Sequence, residues 1–233
     1  MQALETPGDD EAPDWGSIYL YRGEEVSKFR PVFTGDVFLL PENAGMVQII
    51  QHPCAIRLDG VHLVPQLLVS TVDSSKALKP SAWKGNFKQF PLPDLEGDGT
   101  EHRSAFFHKP SLVSPDVIGL GKRVACLSQF GVNLLLQRWV HHNSRVVVPT
   151  WSVDEATAEQ YEEADLVEEW GESWDLAGLD PAESESSVHD WLRSDAGNGS
   201  NWQSMLSAPQ TRSKVRSAMR GELRRITTEA KTS

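Results

Sequence analysis

The chain has 233 residues, with 33 Asp/Glu against 22 Lys/Arg and a formal net charge of −11. That length suits one large domain or a domain with a substantial appendage. No apolar run approaches the roughly 18 residues of a membrane span, and the acidic start lacks a secretory signal's basic flank and apolar core. Two cysteines, Cys54 and Cys126, make no disulfide framework, so the expectation is a cytoplasmic protein with reduced thiols and no membrane partner.

Residues 1–14 are acidic and carry two prolines, which predicts disorder. Trp15 to Tyr21 reads as a short strand, and Pro31 disfavours helix at the residue before it. Asp36 to Leu40 is a strand closed by Pro41 and a turn. Met46 to Gln51 is the next; its apolar residues on both faces predict a strand buried in a barrel. Pro53 then imposes a bend, and Asp59-Gly60 predicts a hairpin turn between the Cys54–Arg57 segment and the strand from His62 to Val72. Asn86 to Leu92 and Ser104 to Val113 are further strands. Short strands joined by turns at this spacing predict a small β-barrel.

From Lys122 to His142, Val124, Leu127, Phe130, Leu134, Leu135 and Trp139 fall three to four apart, which predicts a core-facing helix split near Gly131. Arg145 to Pro149 reads as a strand able to close a sheet. A capping box from Ser152 to Glu155 predicts a helix start. A short helix near Val188 to Leu192, a linker at Ala196 to Ser200 and a final helix from about Gln210 to Ala230 follow. The domain organisation expected is a tail at 1–14, a barrel core at 15–149 and a helical extension at 150–233.

Charge is distributed in blocks. Arg30 to Pro149 holds 12 Lys/Arg against 9 Asp/Glu, Thr150 to Pro209 holds 1 against 15, and Gln210 to Ser233 holds 7 against 2. On the last helix Arg216, Arg220 and Arg224 recur every four residues and share one face. That face suits phosphates or a partner, or it docks on the acidic helix of the same chain; the second reading is favoured because the partner charges are already present. His52 and Cys54 could form a thiol nucleophile with its base, but Pro53 breaks the strand and a third orienting group is missing, so a buried structural Cys54 is expected. As zinc ligands His52, Cys54, Cys126, His141 and His142 lack compact spacing. The acidic block lacks a Gly-punctuated calcium loop. No metal or cofactor is implied.

Several short patterns between Phe33 and His142 come in a suggestive order. They are Gly35-Asp36-Val37 opening a strand, Gly45 before the apolar Val47–Ile50, a strand ending in Ser70-Thr71, and a late run LGKRVACLSQFGVNLLLQRW. In this order the chain resembles the PemK/MazF-like family of SH3-like barrels, the toxin half of toxin–antitoxin pairs. The resemblance implies an α+β fold, a small SH3-like β-barrel followed here by a helical C-terminal extension. It also implies single-stranded RNA and an antitoxin or operon protein as partners, and endoribonuclease chemistry from an arginine and a strand-end hydroxyl. Ser70 and Thr71 match the hydroxyl position. The arginine does not match: Met46-Val47-Gln48 follows Gly45, and Arg57 is the candidate substitute. An arginine would stabilise charge developing on the phosphate while the hydroxyl positions the reacting oxygens. The expected function is a toxin–antitoxin-related or phage-defence protein engaging RNA. The alternative is a non-catalytic interaction module whose C-terminal helices bind a partner.

Overall fold

The computed structural model describes residues 3–8, 14–97, 102–197 and 199–232. By their contacts they form two units, Met1–Val26 with Val32–Thr157 and Ser27–Pro31 with Ala158–Ser233.

The first unit carries seven strands: β1 (Tyr19–Arg22), β2 (Val37–Leu39), β3 (Met46–Ile49), β4 (Leu67–Ser74), β5 (Gln89–Pro93), β6 (His102–Val113) and β7 (Lys122–Leu127). They make one antiparallel sheet in the order β1-β7-β2-β3-β4-β6-β5. The sheet curls until side chains link its two outer strands. The Tyr19 hydroxyl donates to Pro93 O over 3.0 Å, and Arg22 donates to the Asp94 carbonyl and carboxylate over 2.7 and 2.9 Å. Three one- or two-turn helices, α1 (Pro53–Ile56), α2 (Pro80–Trp83) and α3 (Pro115–Leu120), each begin on proline, whose missing N–H costs nothing in a first turn. Two longer helices follow, α4 (Gln129–Ser144) and α5 (Thr150–Leu176), the latter contributing its first eight residues here.

The turn into β2 explains its own sequence. Gly35 has φ of +88°, and a Cβ there would lie 2.7 Å from the Leu127 side chain. Asp36, 1% exposed, accepts from Phe33 N over 2.9 Å and faces Arg123 at 3.4 Å. All four residues of β3 are buried, as its two apolar faces require, and Val47 and Ile49 join Phe38, Ile56, Leu67, Val69 and Ile118 in one core cluster. The Asp59-Gly60 turn also forms: Asp59 Oδ1 accepts from Val61 N and His62 N, and Arg57 bridges to Leu63.

Elsewhere the expectations are corrected. Lys122–Leu127 is a strand, not helix; it sits between β1 and β2, and Ser128 then caps α4 by accepting from Gly131 N over 3.1 Å. Among the described residues, 146–149 pair with no strand. Arg145 ends α4 in the left-handed region (φ +63°), and the chain passes directly into α5. The segment after His52 opens with a helical turn. Of the tail expected to be disordered, residues 1–2 and 9–13 lie outside the described residues, but 3–8 is anchored. Leu4 is buried, and the Glu5 carboxylate accepts from Thr150 N over 2.9 Å and from Gln137 Nε2 over 3.1 Å.

The second unit contains the rest of α5, α6 (Pro181–Arg193) and α7 (Pro209–Thr232). Asp180 caps α6 by accepting from Ala182 N, so that helix begins well before Val188. Leu166, Trp170, Val188, Leu192, Leu206, Val215 and Met219 form its core. A relay of rings runs through it: Trp170 contacts Trp174 and Trp191 at 6.1 and 5.8 Å, and Trp191 stacks on Trp202 at 5.4 Å. Among the described residues no helix is long and apolar enough to cross a membrane.

Candidate nucleic-acid interface

The strand-end hydroxyls sit at a break in the β4–β6 ladder. Ser70 faces Pro110 and Val72 faces Ala105, so two steps along β4 match five along β6 and the extra residues bulge outward. A bulge disrupts the ladder locally, and the two hydroxyls bond across this one. Ser70 Oγ donates to Phe106 O over 2.6 Å and Thr71 Oγ1 to Lys109 O over 3.3 Å. Ser70 is fully buried. Arg57 lies in the connection at the Leu67 end of β4, and its guanidinium donates to Val61 O and Val32 O over 3.2 and 3.1 Å. The fold keeps Ser70 and Thr71 together on the bulge and holds Arg57 in the connection before β4 on the Val61 and Val32 carbonyls.

His52 is the N-cap of α1: its Nδ1 accepts from the Cys54 backbone N over 3.3 Å, not from the thiol. Burial lowers the His52 pKa below its ordinary value. Cys54 is exposed, contrary to expectation, because the helical turn swings it off the strand path; its Sγ lies 3.8 Å from Ala156 O, while Cys126 is the buried cysteine. Among the described residues no group of three or more His, Cys, Asp or Glu is placed to hold a metal ion.

In the helical unit the arginines divide. Arg216 bonds Glu162 and Glu169 over 3.1 and 3.4 Å, and Arg220 pairs with Glu169. Arg224 is exposed and makes no ion pair among the described residues. Two of the three face the chain's own acidic helix, as the charge blocks suggested.

The sheet unit also holds a cleft of about 100 Å³ where the chain leaves β4 and where β5 and β6 end. Trp15, Trp83, Lys76, His102 and Arg103 line it, with Pro91 and Pro93. Half-buried Trp15 stacks on buried Trp83, 5.1 Å between ring centroids and 30° between planes. Behind Trp83, the buried Arg138 guanidinium lies 5.0 Å from its ring and donates to Leu134 O and Trp83 O. Burial pushes Arg138 down to about 9, with the Glu5 charge acting against that fall, so it remains a cation at neutral pH. The Trp15–Trp83 platform is thus fixed from behind by a charge. Lys76 lines the cleft, and the stretch 74–93 also carries Lys79, Lys84 and Lys88, all exposed, and no Asp or Glu. Among the described carboxylates nearby, Glu96 pairs with Arg103 at 3.3 Å and Asp73 with Lys109 at 2.7 Å, while exposed Asp14, beside Trp15, accepts from Ser17 N over 3.2 Å.

No protein-family model matches the chain, and no curated protein matches it in sequence. The cleft was half visible beforehand. Four lysines interleaved with Trp83 and Phe87 in a stretch without carboxylates are an aromatic–basic signal, whereas Trp15 joins them only through tertiary folding.

Proposed function

We propose that the sheet unit is an SH3-like barrel of PemK/MazF type that binds single-stranded RNA without cutting it. The observation that carries this reading is the cleft, where the stacked Trp15–Trp83 pair adjoins Lys76 in a stretch, residues 74–93, with four lysines and no Asp or Glu. Stacking on an aromatic face contributes about 1–3 kcal/mol per base and tolerates any base, while lysines track the phosphates. The resemblance carries the class, a toxin–antitoxin-related or phage-defence protein of the cytoplasm, and a curled antiparallel sheet is compatible with it. The engagement of Ser70, Thr71 and Arg57 by backbone carbonyls favours binding over cleavage. An antitoxin or operon protein is the partner expected of such a chain.

Fluorescence anisotropy with a labelled 12-nucleotide RNA tests this. Binding should weaken steeply with salt, with a log–log slope near −3 for about four phosphate contacts on a single strand. Trp15→Ala should weaken it about tenfold and Lys76→Glu with Lys79→Glu more, while the RNA stays intact. Binding that ignores both sets of substitutions, or no binding at 50 mM salt, overturns the assignment.

A further inference from the structure

Ser27–Pro31 belongs by its contacts to the helical unit, although the rest of that unit begins at Ala158. Each of its first four residues has a specific seat on α5. Ser27 Oγ donates to Glu172 over 3.2 Å, and Lys28 Nζ lies 3.3 Å from Asp175. Phe29 occupies the space left by Gly171, where a Cβ would come within 2.7 Å of its side chain. Arg30 is 2% exposed; its Nη1 donates to Asp165 and Glu168 over 2.9 and 2.7 Å, and its guanidinium lies 5.0 Å from the Tyr161 ring. Tyr161, Asp165, Glu168, Glu172 and Asp175 recur at intervals of four and three, which is one stripe of a helix.

The tetrapeptide pattern recurs on α7, where its arginine reaches α5 while its serine and lysine are exposed. Ser213-Lys214-Val215-Arg216 on α7 repeats Ser27-Lys28-Phe29-Arg30 with one apolar exchange. Val215 is fully buried, and Arg216 bonds Glu162 and Glu169. The two arginines approach opposite oxygens of one carboxylate, Arg30 at Oδ1 and Arg216 at Oδ2, the latter at 4.0 Å. The seat for Phe29 and Arg30 combines an opening for a ring, an aromatic face and two carboxylates, one of them 5% exposed. That combination discriminates, because an arginine lost from beside a buried carboxylate leaves a charge uncompensated.

We infer that this stripe of α5 is a docking groove for a Ser-Lys-aromatic-Arg segment of a partner protein, which Ser27–Pro31 occupies in cis as a built-in competitor. The groove's charge selects a basic segment, Gly171 selects the ring, and the Asp165–Glu168 pair selects arginine over lysine through its fork of donors. A tethered occupant acts at high effective concentration, so a partner must bring further contacts or the strap must first loosen.

The test uses the full chain and a fluorescein-labelled peptide of residues 26–32. Phe29→Ala, which keeps Arg30 beside its carboxylates, should bind the peptide at least tenfold more tightly than the unaltered chain. A peptide with alanine for its arginine should not bind, and Asp165→Asn added to Phe29→Ala should abolish binding. On the unaltered chain, hydrogen exchange in millimolar peptide should rise at Ser27–Arg30 while α5 keeps its protection. If Phe29→Ala fails to fold by circular dichroism, the exchange measurement decides alone. Equal binding of the arginine-less peptide, no binding to folded Phe29→Ala, or unchanged strap exchange at saturation each overturns the inference. Concentration-dependent dimerisation of Phe29→Ala assigns the groove to a second copy of this chain and overturns the partner.

Discussion

The Ser70 hydroxyl donates to the Phe106 carbonyl over 2.6 Å, across the bulge between β4 and β6. The position that resembles a catalytic hydroxyl is here a staple in the sheet. Ser70→Ala should therefore destabilise the chain by about 1–3 kcal/mol, the cost of a buried acceptor left unsatisfied. Thr71→Val, at a longer and more exposed bond, should cost less. Urea unfolding of both variants checks the order, and an unchanged midpoint for Ser70→Ala would sink the staple reading.

Glu5 gathers the N-terminal segment, α4 and the start of α5. Its carboxylate caps Thr150 N, its backbone N donates to Gln137 Oε1 over 2.8 Å, and its carbonyl accepts from Arg138. A carboxylate at a helix N-terminus stabilises both the orphan donors and the dipole. Glu5→Ala is expected to cost about 1–2 kcal/mol on the same scale as other lost caps. Glu5→Gln should restore part of it. Deleting residues 1–8 without loss of stability would contradict the anchor.

The half-buried His52 gives a pH dependence. Burial lowers its pKa in the folded chain below the ordinary 6.5, so the unfolded chain binds the proton more readily. The resulting stabilisation is complete above pH 6.5 and is lost as pH falls through the folded value. Protonation also removes the Nδ1 acceptor that Cys54 N uses. An NMR titration should place His52 below 6.5. His52→Asn, which keeps an acceptor but cannot titrate, should flatten the stability loss between pH 7 and 5.

Among the arginines of α7, Arg216 and Arg224 should behave differently. Arg216→Ala removes bonds to Glu162 and Glu169 at a site 28% exposed and should cost on the order of 1 kcal/mol. Arg224→Ala should stay within about 0.5 kcal/mol, the usual range for a surface residue. High salt should shrink the first effect and leave the second unchanged. Equal costs in thermal unfolding would mean that the ion pairs are not what distinguishes the two positions.

The sequence made some elements legible for local reasons. β3, the Asp59-Gly60 turn and α7 each carry their signal within a few residues. Lys122–Leu127 misled because a short apolar run fits helix and strand periods alike, and only its partners on β1 and β2, distant in sequence, decide. Cys54 followed from whether Pro53 bends a strand or opens a helical turn, which proline permits equally. Of the cleft, the lysines were readable and Trp15 was not. The strap was invisible because nothing local in Ser27–Pro31 announces a seat on a helix that begins at Thr150.

That strap also sets a timetable. Residues 27–31 leave the ribosome more than a hundred residues before the helix that receives them. At about 5–20 residues per second this is a wait of roughly 6–25 s. Through that interval Phe29 and Arg30 have no seat, and the helical unit closes only by a contact of very long sequence separation. Such closures are slow. A nascent chain halted before Asp175 should hold a formed sheet and a strap still open to other partners.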